Sequence, residues 1–341
     1  IYCTGGGAGE ESITTLQLRK DDRDALDAGQ TTLGEVIDAQ GETIRRDVMH
    51  TADDHEFRVG VSSADLELMS KMETDAFPWE ALMDDMRGVE LGKAGRVVRC
   101  PDCKLWLPRP RGFEDGDGSC SHCDKDISPD APQAKIVREE RVNANFRPFL
   151  TGADVNRYYL DRNLYIDTTY DGINYKDSSF FEPPKLLVRK TGVGIYAAID
   201  YEGSLTNQVV YIFRKKVEPR EDLAGVSIEY VAGLLSSRAM LAYYVLRFGE
   251  REWRSYLTQK ILKKLPLRDP STVPGGQKLH DDLTELVRQA TRAEGPISKS
   301  LDLRIEGIVA DLHGFTESER DRIQSILESV QKLRIIREML A

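Results

Sequence analysis

The spacing of apolar and polar positions changes character along this chain of 341 residues. In the first quarter, "ESITTLQLRKDD" and "EFRVGVSS" alternate as strands do, and "TLGEVIDAQG" predicts a short helix. "SADLELMSKMET" opens with a helix-start signal and sets Leu66, Met69 and Met72 on one helical face. A β-rich stretch follows over residues 135–225. Within "PKLLVRKTGVGIYAAIDYEGSLTNQVVYIFRKK", three runs (Lys185–Lys190, Ile195–Tyr201 and Gln208–Arg214) are separated by glycine-bearing turns. Hairpin signals of this kind predict a meander, with Arg189, Lys190 and Thr191 on its first turn. From residue 226 the period becomes helical. "VSIEYVAGLLSSRAMLAYYVLRFG" reads as one long amphipathic helix stopped by Gly249, and further helices are predicted over Lys278–Ala293, Ile297–Leu312 and Thr316–Leu340. Thr316 and Glu319 form the capping box of the last one.

The fold class that follows is α+β: a β-rich domain, then a long helix and a helical C-terminal region. Segments are expected at 1–75 (acidic and mixed), 76–134 (a lead-in with a cysteine-rich insertion), 135–270 (β-rich) and 271–341 (helical). No apolar run approaches the roughly 18–20 residues of a membrane span, so no membrane partner is expected.

Charge changes the picture only after it is divided. The formal net charge is -10, but residues 1–75 alone carry 7 basic and 17 acidic side chains. Residues 135–268 hold 22 basic against 16 acidic, so the middle of the chain is mildly cationic. Binding to nucleic acid depends on a local patch rather than on the total, and this balance permits it.

Four of the five cysteines stand in "RCPDCKLWLPRPRGFEDGDGSCSHCDKD". Cys100, Cys103, Cys120 and Cys123 form two C-x2-C pairs at the spacing of a zinc ribbon. Four thiolates close the tetrahedral shell of Zn2+, which makes the ion structural rather than catalytic. Such clustering argues for a reducing, cytoplasmic setting rather than a disulfide framework. Lys104, Arg109 and Arg111 on the spacer offer contacts for a phosphate backbone; the plainer alternative is a staple for a subdomain too thin to fold unaided.

Other chemistry is absent from the sequence. There is no G-x-x-x-x-G-K-[ST], and GGGAG at 5–9 lacks the lysine and helix of a phosphate loop. The histidines at 50, 55, 122, 280 and 313 are scattered, and the Asp53-Asp54 and Asp84-Asp85 pairs sit in charged stretches.

Several segments in order resemble the C-terminal target-recognition region of TaqI-like adenine-specific DNA methyltransferases and type IIG restriction–modification enzymes. They are "RPFLTGADVNRYYL", "PKLLVRKTGVGIYAAID", "TNQVVYIF", "YVAGLLSSRAMLAYYVLRFG", "LTQKILKKLPL" and "LRIEGIVADLHGFTESERDRI", spanning about 145 to 325. "MRGVELGKAGR" resembles the lead-in to that region, with the ribbon inserted directly after it. The resemblance implies recognition of double-stranded DNA beside a methyltransferase catalytic domain or subunit. That part would bind S-adenosylmethionine and methylate the exocyclic amine of adenine. The family's Asn-Pro-Pro-Tyr-type tetrapeptide is missing here, where Pro183-Pro184 follows Phe181-Glu182, so the cofactor and the catalysis belong to a part outside this sequence. Residues 1–75 would be its tail or a connector to it.

Candidate backbone contacts are Arg189, Lys190, Thr191, Arg254, Lys260, Lys263 and Lys264, and candidate base-edge readers are Asn207 and Gln208, whose amides can pair with adenine. Two rivals stand beside this reading. One is a zinc-ribbon protein-interaction module that does not read DNA; the other is a metal-dependent nuclease using Asp53 or Asp84.

Overall fold

A computed structural model of the chain describes residues 2–4, 12–16, 18, 20–45, 61–92, 94–116, 118–192, 194–248, 256–293, 295–330, 335, 336 and 339. The GGGAG stretch, Asp53, most of "EFRVGVSS" and Arg254 lie outside them. The chain divides into two compact units, residues 1–74 with 243–249, and residues 75–242 with 250–341.

In the first unit, strands β1 (Tyr2–Thr4), β2 (Ser12–Leu16) and β3 (Glu42–Arg45) form an antiparallel sheet in that order. The helices Leu33–Gln40 and Ser63–Glu73 each open on a capping box, Thr32 with Glu35 and Ser62 with Asp65. Leu66, Leu68, Met69 and Met72 are the buried apolar face of the second. The strand expected over "ESITTLQLRKDD" is shorter than its pattern suggests: β2 covers Ser12–Leu16, and Lys20–Asp27 forms a helix.

The second unit contains β4 (Ala76–Phe77), β5 (Met83–Arg87), β6 (Arg96–Arg99), β7 (Trp106–Pro108), β8 (Gln133–Lys135), β9 (Val137–Arg138), β10 (Phe146–Leu150) and β11 (Leu164–Asp167). After them come β12 (Lys185–Arg189), β13 (Ala197–Asp200), β14 (Leu205–Thr206), β15 (Val210–Lys215) and β16 (Leu267–Arg268). Two four-stranded sheets, β14-β10-β11-β9 and β13-β12-β15-β5, enclose a common core that includes Phe149, Ile166, Leu187, Ala198, Val210 and Ile212.

The expected meander is not what forms. β12 lies in the centre, with β13 on one side and β15 on the other. The cause is β14: on leaving β13 the chain joins the other sheet parallel to β10, then re-enters on the far side of β12. Gly88 sits at this crossover, where a Cβ would collide with the carbonyl and hydroxyl of Thr206. Gly88→Ala is therefore expected to lower stability by about 2–3 kcal/mol, as overpacking does, measurable by urea unfolding.

The helix expected over 226–249 is interrupted. Helices Ile228–Leu235 and Arg238–Phe248 meet at Ser236 and Ser237, where the Ser237 hydroxyl accepts from the Met240 N–H (3.1 Å) and donates to the Leu234 carbonyl (2.8 Å). A serine hydroxyl competes with the helical ladder in this way. Helix Ile228–Leu235 is buried on all sides, packed between β12, β13 and the helix Gly276–Arg292. The C-terminal helices run Gly276–Arg292, Lys299–His313 and Glu317–Glu328, the last with the expected Thr316–Glu319 capping box.

Two buried polar groups fix this arrangement. Lys185 and Asp200, both fully buried, are ion-paired across β12 and β13, and Asp200 also accepts from the Ser204 N–H and from Arg162. Burial alone would raise the Asp200 carboxyl, but the Lys185 ammonium and the Glu202 and Ser204 N–H groups hold it below the ordinary range. Arg157, in the β10–β11 connection, bonds Asp302 (2.6 Å), Glu306 (3.1 Å) and the Ser236 carbonyl (2.8 Å). Glu306 in turn caps the helix starting at Arg238, accepting its N–H at 3.0 Å.

Candidate metal centre and nucleic-acid interface

The two cysteine pairs fold into matching turns. Cys100 N–H donates to the Leu105 carbonyl and Lys104 N–H to the Cys100 carbonyl; Cys120 to Lys125 and Asp124 to Cys120 repeat the pattern. Lys104 and Asp124, each just after the second cysteine of its pair, share a left-handed backbone, with φ of 67° and 55°. The four sulfurs lie within 4.8 Å of one another, and Cys100–Cys123 and Cys103–Cys120 are both 3.7 Å apart. Ligands about 2.3 Å from a tetrahedral zinc are separated by about 3.8 Å, so this spacing fits a metal and is far too long for disulfides. Burial raises the Cys100 thiol, but N–H donation from Cys103 and Asp102 outweighs it and brings the group down to about 7.

Strand β6 belongs to two cores at once. Val98 packs with Leu107, Phe113, Ile127 and the cysteines, while Val97, one residue away and on the opposite face, enters the core of the two large sheets. Trp106 N–H donates to the Asp171 carbonyl (2.8 Å), and the Trp106 ring meets Tyr170 edge-on at 5.0 Å. Gly172, at φ 95°, allows this approach, since a Cβ there would strike the Trp106 carbonyl. The cluster is thus seated on the β-rich core rather than tethered beside it.

The second feature is one end of the sheet β13-β12-β15-β5. Arg189 ends β12 opposite Val210, and Arg87 ends β5 opposite Tyr211, one rung away. Their guanidinium groups lie over aromatic rings, Arg189 5.1 Å from Tyr196 and Arg87 5.9 Å from Tyr211. Lys190 is held through its backbone, donating to the Val209 carbonyl and accepting from the Leu257 N–H. Thr191 bridges to Tyr256, a tyrosine 48% exposed. Lys260, in the short helix Gln259–Leu262, and Lys264 just after it are exposed. Backbone bonds to two segments thus fix a cationic rim along this end of the sheet, with Arg189 and Arg87 on opposite faces of it because Val210 and Tyr211 are successive residues.

Not every expected residue joins it. Lys263 is engaged by Asp85 (2.5 Å) and Glu80 (3.5 Å), and the side-chain bond to Asp85 raises its ammonium above the ordinary range. Asn207 is 3% exposed, its backbone bonded to Leu150 and Val210 at the crossover. The Gln208 amide oxygen accepts from the Leu91 N–H at 2.8 Å. These two residues knit the sheets together, and the base-edge role expected of them does not suit a buried amide and an engaged one. Arg254 lies outside the described residues. Arg87 and Tyr256 carry no local signal, because only register and a long-range bridge bring them to this end of the sheet.

Asp84 and Asp85 are successive residues of β5 and face opposite sides, so they do not converge on a metal ion. Among the described residues, the four cysteines are the group of potential ligands close enough to hold one. No helix among the described residues is long and apolar enough to cross a membrane.

Residues 147–267 match the family described as the TaqI-like C-terminal specificity domain. No curated protein sequence matches the chain significantly. Among solved structures, the chain is similar to the type IIL restriction–modification enzyme MmeI in complex with DNA. There the identity is 14%, over 55% of this chain and 31% of that one, with a TM-score of 0.32. It is also similar to a chain of a type I restriction–modification system, at 11% identity over 86% and 59% of the two chains and a TM-score of 0.32. The HsdS subunit from Thermoanaerobacter tengcongensis matches at 11% identity over 86% and 58%, with a TM-score of 0.26. The chain therefore spans between 31% and 59% of the length of these solved chains.

Proposed function

We propose that this chain, whose residues 147–267 belong to the TaqI-like C-terminal specificity family, reads double-stranded DNA for a restriction–modification enzyme that methylates adenine. One observation carries the reading: the matched residues include Arg189, Lys190, Thr191, Tyr256 and Lys260, which form most of the cationic rim. Phosphates meet Arg87, Arg189, Lys190, Lys260 and Lys264, and these contacts set register along the duplex. Tyr256, exposed beside Thr191, is the side chain placed to reach toward the groove. Methylation of an exocyclic amine requires the adenine to leave the stack, and in this reading a separate catalytic domain or subunit holds both that base and S-adenosylmethionine. The four cysteines hold Zn2+ as a structural ion, with no coordination position left for a substrate. A cytoplasmic setting fits this reading, since thiolates that hold a metal must stay reduced.

Selection from a random double-stranded DNA library, with the chain alone and together with its catalytic part, tests the reading. An enriched motif of several base pairs is the expected result, and no enrichment in either arm overturns it. Arg189→Ala is expected to weaken binding across sequences and reduce the salt slope by about one. Asn207→Ala, by contrast, is expected to lower stability and leave the motif of the remaining folded protein unchanged.

A further inference from the structure

The ribbon sheet, in the order β7-β6-β8, contains a charge arrangement that folding alone does not favour. Arg96 on β6 lies directly opposite Lys135 on β8. On its other side the next rung is Arg109, whose N–H donates to the Arg96 carbonyl at 3.1 Å, just past the end of β7. Side chains alternate across a strand, so Arg96, Lys135 and Arg109 share the face of Val98 and Leu107. The result is a row of three cations across three adjacent strands. Like charges directly opposite each other destabilise a sheet. Among the described residues no ion pair offsets Arg96 or Lys135; both are exposed. Arg109 is met by Glu114 at 2.6 Å, but that carboxylate is 73% exposed, and such a pair is weak and readily exchanged.

Neighbouring strands are about 4.8 Å apart, so the row spans about 10 Å. A DNA duplex presents one negative charge per about 1.7 Å of its axis, enough to set two or three phosphates against it. We propose that Arg96, Arg109 and Lys135 form a clamp for the DNA backbone on the metal-bound ribbon, separate from the cationic rim at Arg189. The ribbon then adds affinity without reading sequence. Its packing through Val97 and Trp106 holds the clamp in fixed register with the recognition sheet. The inference rests on the DNA reading above and adds a second contact surface to it.

The test uses the metal-loaded chain and a fluorescein-labelled random-sequence DNA duplex, with anisotropy measured between about 50 and 200 mM salt. Arg96→Ala/Lys135→Ala is expected to bind roughly tenfold more weakly or worse, with a salt slope smaller by about two. Its Tm should equal or exceed that of the wild type, because a like-charge pair has been removed. The charge-conserving exchange Arg96→Lys/Lys135→Arg should bind as the wild type does. Wild-type affinity and slope in the alanine variant overturn the clamp while leaving the recognition reading intact, and Arg189→Ala then still weakens binding. An exchange variant as weak as the alanine variant also overturns it, since charge would not be the cause. A wild-type protein that binds no duplex, either alone or together with its catalytic part, overturns both readings together.

Discussion

Removing the metal with a chelator, or replacing Cys103 with serine, is expected to unfold the ribbon over residues 96–135. Its core consists of the cysteines with Val98, Leu107, Phe113, Ile127 and Ala131, too little apolar surface to order about forty residues. In small four-ligand zinc domains, metal binding contributes roughly 10–16 kcal/mol and is itself the folding free energy. The effect should spread beyond the ribbon, because β6 also supplies Val97 to the core of the large sheets. Metal analysis should find about one equivalent of zinc. Limited proteolysis of the chelated protein should then cut first between Cys100 and Cys123, and its thermal transition should broaden or shift down. Full protease resistance and an unchanged Tm after verified metal loss would show that the cluster does not hold the fold.

The second large effect is expected at Arg157. It is 6% exposed and faces two carboxylates, Asp302 at 2.6 Å and Glu306 at 3.1 Å, while its Nε donates to the Ser236 carbonyl. Arg238 shares Asp302 (3.1 Å) and also donates to the Met339 carbonyl (2.7 Å). Arg157→Met removes one of two cations and leaves buried carboxylates undercompensated, which costs about 3–5 kcal/mol. The loss falls where the β10–β11 connection, the helix break at Ser236–Ser237 and helix Lys299–His313 meet. Urea unfolding of Arg157→Met, Asp302→Asn and the double variant should give a coupling above about 1 kcal/mol. A single-variant cost below about 1 kcal/mol would mean that the cluster does not organise this junction. The Arg157 partners, Asp302, Glu306 and Ser236, are not rim residues, so DNA binding by the folded variant should weaken little.

The sequence by itself determined what depends on near neighbours. Two C-x2-C pairs specify the four-cysteine cluster because each turn closes over a few residues, and the sulfurs meet where the two turns face each other. The capping box at Thr316 was legible because a cap and its partner are three residues apart. The order of segments after residue 145 likewise carries the resemblance to the specificity family, which residues 147–267 match. Tertiary structure alone decided the rest. The detour of β14 into the second sheet made Asn207 a buried crossover residue and placed β12 between β13 and β15. Register set Arg87 beside Tyr211, and a long-range bridge set Tyr256 beside Thr191. Pairing across β7-β6-β8 lined up Arg109, Arg96 and Lys135, residues 13 to 39 apart in the chain. Local patterns can specify a strand and which face is apolar, but not which strand lies beside it. That choice is made by packing of the whole core, and here it determines which charges meet.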